Sequence, residues 1–280
     1  PGGSLGCTDF VTALYFNIMQ VDTNFKMDGI GEDLFFLSNG HISPLFYSVL
    51  SRRGYFDVKE LATFRKINSR LQGHPTTHEG LPGIRIASGS LGQGMSVAIG
   101  AALSKKYNKD SKLVFSLHGD GELQEGQIWE AALSAPKFKL SHLCAILDYN
   151  NGQIDGTVND VMPIEPIADK WRAFGWHVIE IDGNNMEAIV DAYAMAKAIV
   201  EKPSVIIAHT VPGKGVDFME YIDGELNRRG WSRNELAKRA GLSASLFTHL
   251  SKGERNIGAE ACQKIARALH IDLEIVYGWA

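Results

Sequence analysis

Lys112-Leu-Val-Phe-Ser-Leu-His118 runs into Gly119-Asp120-Gly121, and Leu143-Cys-Ala-Ile-Leu147 runs into Asp148-Tyr149-Asn150-Asn151-Gly152. Both runs are apolar and rich in strand formers, which reads as a pair of buried strands. Leu123–Ala135, between them, has the pattern of a helix. Strand, helix, strand is a parallel crossover unit, so both runs end at the same carboxyl edge of a sheet, where ligands bind in open α/β folds. The two turns then present an Asp and an Asn as neighbours. Their glycines permit positive φ and let a ligand approach the backbone.

One carboxylate, one amide oxygen and a spare carbonyl are hard oxygen donors. They suit Mg²⁺, with Ca²⁺ as the alternative, rather than Zn²⁺. Mg²⁺ shares phosphate oxygens readily, and glycine amides with the helix start after Gly121 are expected to hold those phosphates. The expected ligand is a diphosphate held through a metal. GDG and NNG taken singly are ordinary turn signals; their pairing, with Glu125-Gly126 between, carries the ligand reading.

GDG followed about thirty residues later by Asn resembles the thiamine-diphosphate motif. GDGELQEGQIWEA with LDYNNGQIDG resembles the diphosphate-binding half of the transketolases, in particular the split bacterial type made as two chains. The resemblance covers most of residues 1–220. It implies Mg²⁺ ligation by the Asp120 carboxylate, the Asn150 side chain and the Gly152 carbonyl. It also implies cofactor contacts at Gly119 and Gly121, and a role for Glu125 in a carboxylate network between subunits.

Three further segments carry the resemblance. Ser38-Asn39-Gly40-His41 matches the family's SNGH, whose histidine points into the active-site funnel. Gln72-Gly73-His74-Pro75 matches the segment that sets a histidine beside the reacting carbon. Gly89-Ser-Leu-Gly-Gln-Gly94 opens a helix to about Tyr107, and the resemblance implies that Gly92 and Gln93 line the cofactor. His78 has no counterpart and is read as a surface residue.

Composition sets broad limits. A chain of 280 residues with 45 % hydrophobic content can bury a substantial core in one or two domains. Cys7, Cys144 and Cys262 are odd in number and form no CxxC, which argues against a disulfide framework or zinc site. No apolar stretch is long enough to span a membrane and no signal peptide opens the chain, so a cytoplasmic location is expected.

In chain order, Ser4 or Thr8-Asp9 is expected to cap a helix to about Met19, Asp33–Ser38 is a strand and Leu45–Leu50 starts a helix. Tyr55–Arg70 reads as an exposed amphipathic helix whose Arg65 and Arg70 are available to a sugar phosphate. Beyond Gly156, Ile164–Phe174 and Asn185–Glu201 read as helices, and His177–Ile181 and Ser204–His209 as strands. Trp171 and Trp176 read as core aromatics. Strands alternating with helices mean a doubly wound parallel sheet, and the resemblance implies that it is the thiamine-diphosphate-binding fold. Two family features are missing: a Gly-His before the opening Pro-Gly, which makes the start read as truncated, and a Trp-His-Gly segment expected after Glu220.

From Gly224 the charge changes sign. Nine cations face six anions, a net of about +3, against about −7 for residues 1–223. Ser232 is expected to cap a helix to Ala240, Ser243 a second over Ala244–Ser251, and Ala259–Leu269 is a third. Helix, Gly-containing turn and short helix is the helix-turn-helix plan, and the segment resembles the phage-repressor-like helix-turn-helix domains. That implies DNA contact through 226–280, with Ser243, Ser245, Thr248 and His249 nearest the bases and Arg255 and Asn256 against phosphates.

The expected organisation is a diphosphate-binding domain over 1–223 and a small all-α domain over 224–280. The expected function is ketol transfer between sugar phosphates, as one subunit of a split transketolase. The activating glutamate would come from a pyrimidine-binding partner chain, within a homodimer or heterotetramer. A DNA-binding regulator with a cofactor-sensing domain, or an inactive scaffold, are the alternatives.

Overall fold

The computed structural model describes residues 2–153, 155–252 and 257–271. Five parallel strands form the main sheet: β1 (Leu34–Leu37), β2 (Val114–Gly119), β3 (Leu143–Tyr149), β6 (His177–Asp182) and β7 (Ser204–His209). A two-stranded antiparallel ribbon, β4 (Gly152–Gln153) and β5 (Gly156–Thr157), follows β3. The order across the sheet is β1-β2-β3-β7-β6. The doubly wound parallel sheet expected from the sequence is therefore the observed one.

Successive side chains of a strand point to opposite faces, and here both faces are covered. Phe35, Leu37, Phe115, Leu117, Cys144 and Ile146 join the helical residues Phe10, Leu14, Leu50 and Ile189 in one cluster. Leu34, Phe36, Val114, Ala145 and Leu147 join Met95, Ile99, Ile128, Trp171 and Trp176 in the other. This is why β1 to β3 read as unbroken apolar runs rather than alternating ones. Trp171 and Trp176 are each 1 % exposed and meet edge-on with centroids 5.0 Å apart.

Several expected elements differ. No helix fills Tyr55–Arg70: Val58–Thr63 makes a 3₁₀ turn, Phe64 is extended in ψ, and Arg65 and Asn68 take left-handed φ of 56° and 62°. Arg70 forks onto Glu60 at 2.9 and 2.8 Å, which occupies the guanidinium assigned to a sugar phosphate. The first helix is divided into Gly2–Gly6 and Thr8–Ala13 with a π-turn over Leu14–Ile18, and no side chain caps the second piece. Leu123–Ala135 resolves into a 3₁₀ turn, Gly121–Gln124, and a helix, Gly126–Lys137. The later helices are Ile167–Ala173 and Met186–Ala198, the latter capped by Asn185.

The C-terminal helices are Phe218–Arg229, Arg233–Ala240, Ala244–Ser251 and Ala259–Leu269. Phe218, Met219, Ile222 and Leu226 pack with Leu236, Phe247, Cys262 and Ile265 in a third core. The helix Phe218–Arg229 thus crosses the expected division at 223/224, and its first turns pack with the helical module. Ser232 caps as expected, accepting from Glu235 N at 3.1 Å, whereas the Ser243 side chain makes no cap bond. Among the described residues no helix is long and apolar enough to cross a membrane. Arg255 and Asn256 lie outside the described residues.

Candidate active site

Gly119 pairs in register with Asp148, so the turns after β2 and β3 leave the sheet side by side. Asp120 is 2 % exposed. Its carboxylate accepts from Gly121 N at 2.8 Å, Asn150 N at 2.9 Å and Asn151 N at 2.5 Å. One side chain therefore closes both turns, and Asn151 adopts a left-handed φ of 56° to allow it. Burial first, and the charge of Asp148 second, push the Asp120 carboxyl up to about 7 against those three amides.

Asp148 is equally buried. It accepts from Asn150 Nδ2 at 2.8 Å and from the Thr210 hydroxyl at the end of β7, and is also hydrogen-bonded by Cys7. Burial raises its carboxyl despite those bonds. The bond from Nδ2 fixes the Asn150 amide, so that Oδ1 faces the turn and accepts from Gly152 N at 2.8 Å. Asp120 and Asn150, assigned as metal ligands from the sequence, are thus brought together.

Whether a divalent cation fits rests on charge and donor type. Among the described residues neither Asp120 nor Asp148 has an ion pair, so two buried carboxyls share one pocket of polar turns with no cation. Asp120 and the Asn150 and Gly152 oxygens are all hard donors, the set Mg²⁺ accepts. No group of three or more His, Cys, Asp or Glu side chains that could hold a metal occurs among the described residues, so a cation here would depend on one carboxylate with an amide oxygen and a backbone carbonyl. The residues present fit Mg²⁺ or Ca²⁺.

A third buried acid, missed in the sequence, organises the other side of the cleft. Glu122 is 1 % exposed. It accepts from the Ser38 hydroxyl, from Gly92 N at 2.8 Å and from Gly119 N at 3.2 Å, and its Oε2 lies 3.4 Å from His118 Nδ1. Burial pushes its carboxyl up, but His118 and these donors outweigh that and hold it below its ordinary value. Ser38 in turn accepts from Gly94 N at 3.0 Å. Glu122 therefore joins the ends of β1 and β2 to the glycine loop.

The same network engages the glycines of this edge. The N–H groups of Gly92, Gly119 and Gly121 are spent on Glu122 and Asp120. Neither Gly119 nor Gly121 has positive φ. What Gly121 supplies is space, since a Cβ there would lie 3.1 Å from Gln153 Oε1. Gly92 does need its left-handed φ of 84°, and a Cβ there would press on Glu125 at 3.0 Å.

His41 and His74 converge from separate loops. Their rings meet edge-on, centroids 4.9 Å apart, and both side chains are exposed. A Cβ on Gly40 would lie 2.7 Å from Ser88 Oγ, and one on Gly89 would lie 3.1 Å from the His74 ring, so glycines let these loops close together. Glu125 is exposed where the helix Gly126–Lys137 begins and makes no cap bond. Gln93, also exposed, is bonded to Gln127 at 3.1 Å. His78 is exposed as expected.

A parallel sheet carrying loop-linked acids, a fixed Asn–Gly turn and a histidine pair at its carboxyl edge is the arrangement of a ligand-binding α/β domain. Residues 1–223 match the model of the transketolase thiamine diphosphate-binding domain, and residues 225–276 match a helix-turn-helix model. The chain is 44 % identical over 219 residues to the 6-deoxy-6-sulfo-D-fructose transketolase subunit of Clostridium sp. (strain MSTE9), covering 78 % of this chain and 79 % of that one. It is 41 % identical to one subunit of the apulose-4-phosphate transketolase of Phocaeicola vulgatus, covering 79 % and 78 %. Among solved structures, transketolase from Leishmania mexicana aligns with a TM-score of 0.74 at 27 % identity, over 96 % of this chain but 44 % of that one. The enzyme from Campylobacter jejuni aligns at 0.71 and 30 %, over 98 % and 39 %. The chain spans less than half the length of these two solved enzymes. It belongs to the transketolase family, through the thiamine diphosphate-binding domain.

Proposed function

We propose that this chain is the diphosphate-binding subunit of a split transketolase, moving a two-carbon ketol unit between sugar phosphates only when joined by a pyrimidine-binding chain. The observation that carries the reading is the closure of the turns after β2 and β3 by Asp120, beside an Asn150 whose amide oxygen is held in place. Asp120, the Asn150 amide oxygen and the Gly152 carbonyl would hold Mg²⁺. When bound, thiamine diphosphate supplies a nucleophilic carbon and an electron sink.

Side chains of this chain shape the cleft and its mouth. Glu122 holds the glycine loop against β2, so the cleft keeps its shape. His41 and His74 flank its mouth as exposed donors or acceptors for a hydroxylated substrate. Glu125 stands at the surface beside Gly92, placed to meet a carboxylate or amide of a second subunit. Relatives named as subunits of transketolases support the need for a partner. In a coupled ketose-phosphate assay the purified chain alone gives no turnover, and adding a pyrimidine-binding chain gives turnover. Robust turnover by the chain alone would refute this division of the active site.

A second reading, DNA binding by the helical module, is favoured by one observation. Ser243, Ser245, Thr248 and His249 all reach solvent while Leu246 and Phe247 are buried, so the second helix of the motif turns a polar face outward. A single such module is expected to bind DNA non-specifically with Kd around 10⁻⁴–10⁻⁶ M and to weaken steeply with salt.

A further inference from the structure

Positive charge gathers at the amino edge of the sheet, where β2 and β3 begin. Segments 104–112 and 136–142 hold six lysines and one aspartate, within residues 1–223 whose net charge is about −7. The aspartate, Asp110, is spent locally: Lys105 Nζ donates to it at 2.7 Å, Lys112 N at 3.0 Å and Gly31 N at 3.1 Å. Lys106, Lys109 and Lys139 have no acidic partner among the described residues. All three line one cleft of about 340 Å³, together with Asp110, two serines and His142.

A run of exposed lysines is ordinarily a solvated face. Two features set this one apart. The first is backbone strain. Helices Gln93–Tyr107 and Gly126–Lys137 both end here. Each closes with the same pair of bonds, Lys109 N to Lys106 O with Asp110 N to Lys105 O, and Lys139 N to Pro136 O with Leu140 N to Ala135 O. That closure needs a left-handed residue, and glycine is the default because it has no Cβ to clash. Gly54, Gly175, Gly230 and Gly241 hold the place at four other helix ends, and His270 at a fifth. Here it is held by Lys109 at φ 55° and Lys139 at φ 51°, the two lysines with left-handed φ among the described residues. Both stand where glycine would be less strained, and both line the same cleft.

The second feature is that acceptors are covered while donors are left. A helix C-terminus disfavours anions. Lys106 Nζ, however, donates to Phe138 O at 2.6 Å and Lys139 O at 3.2 Å, and His142 Nε2 bonds to Ala102 O at 2.8 Å. The ammonium groups of Lys109 and Lys139 and the hydroxyls of Ser111 and Ser141 make no hydrogen bond among the described residues. We propose that this cleft binds a small phosphate monoester whose other groups are hydroxyls, a phosphorylated sugar or polyol. Lys109 and Lys139 take the phosphate, as point charges that suit it, and Ser111 and Ser141 take hydroxyls. The volume lies at the lower end of small-molecule sites and exceeds what a bare phosphate fills. No aromatic side chain lines it, so a nucleobase would find no stacking surface. The strand β2 separates this cleft from the turn of Asp120 by about 17 Å, and nothing in the assignment rests on the diphosphate reading. The same two helices begin at the candidate active site, at Gln93 and Gly126, so the two sites lie at opposite ends of them.

The test uses the full chain in metal-free, phosphate-free buffer at low salt, where screening is weak. Glucose 6-phosphate is titrated by calorimetry, with glucose and inorganic phosphate as separate arms and melting temperature recorded for each protein. Wild type should bind glucose 6-phosphate saturably and glucose not at all. Lys109→Gly combined with Lys139→Gly suits both backbone positions, so the fold is kept, while affinity should fall about tenfold or more through the lost charged hydrogen bonds. Ser111→Ala combined with Ser141→Ala should weaken glucose 6-phosphate and leave inorganic phosphate unchanged, a difference that general attraction of anions to lysines does not produce. Asp120→Ala should bind glucose 6-phosphate as wild type does. No saturable binding by wild type, or affinity within twofold of it in the lysine variant, would overturn the proposal. Binding lost in Asp120→Ala and kept in the lysine variant would put the ligand at the carboxyl edge and overturn it as well. Equal binding of glucose 6-phosphate by the serine variant and wild type would overturn the assignment of a polyol.

Discussion

The sheet domain and the helical module place their polar groups in opposite ways. In the sheet domain, Ser38, Asn39, His118, Asp120, Glu122 and Asp148 are each less than a tenth exposed and all lie at the carboxyl edge. In the module, Glu225 is the one buried charged residue among those described, and the ion pairs Asp223–Arg233, Arg239–Glu235 and Lys264–Glu260 sit at the surface. Burying polar groups is expensive unless they are paired. At the opposite edge the buried Glu32 and Lys105 are ion-paired, with Arg85 and Asp110, whereas Asp120 and Asp148 at the carboxyl edge are held by neutral donors alone. The module shows no such concentration of buried polar groups; whatever it binds meets a surface.

The largest effect that would break this comparison is on folding. Phe247 is fully buried in the module's small core, and Phe247→Ala should cost about 3–5 kcal/mol. That is enough to unfold a domain of this size while the sheet stays folded. Calorimetry should then show the module's transition lost and the sheet's transition kept. Loss of both together would mean the two regions fold as one unit.

A second, intermediate effect sharpens the contrast through pH. The Asp120 carboxyl lies at about 7 in the folded chain, because of burial and of Asp148, against about 3.9 unfolded. Its folded form holds the proton more tightly, so the metal-free fold loses stability as pH rises from about 4 toward about 7. Mg²⁺ must displace that proton. Its apparent affinity in the presence of pyrophosphate should rise about tenfold per pH unit below 7 and level off above. A flat profile between pH 5.5 and 8 would detach Asp120 from the metal.

The smallest effect belongs to the module's surface. Arg233 forks onto Asp223 at 2.8 Å and at a second, shorter contact, with both side chains over a third exposed. Asp223→Ala should cost under about 1 kcal/mol in chemical denaturation, and less at high salt.

How much can be read from the sequence follows the same division. The strands β2 and β3, their turns and the Asp–Asn pairing are legible because each is a local pattern repeated at a fixed spacing. Glu122 is not. In GDGELQEG it looks like an ordinary acid in a first helical turn, and its burial depends on Ser38, 84 residues away, and Gly92, 30 residues away. The unpaired Asn39 Oδ1 is hidden for a related reason: a buried oxygen without a donor is visible only once its neighbours are in place. Tyr55–Arg70 fails in the opposite direction. Its charge pattern suits a helix, but Phe64 turns extended and Arg65 and Asn68 take left-handed φ, while Arg70 reaches back to Glu60. Helix Phe218–Arg229 escapes the expected boundary because its first turns lie where the sequence pattern ends the sheet domain, and only packing shows them to join the module.

The proposed function requires the edge built on Asp120 and Asn150 to hold thiamine diphosphate through a divalent cation. Its most direct test is calorimetric titration of thiamine diphosphate, with Mg²⁺ and the pyrimidine-binding partner chain present, into wild type and Asp120→Ala. Losing a residue that only supports a metal ligand already costs about 10–100-fold, so loss of a ligand should weaken binding by at least about a hundredfold. Saturable binding by wild type that all but vanishes in Asp120→Ala is the predicted result. Equal affinity in the two proteins would contradict it.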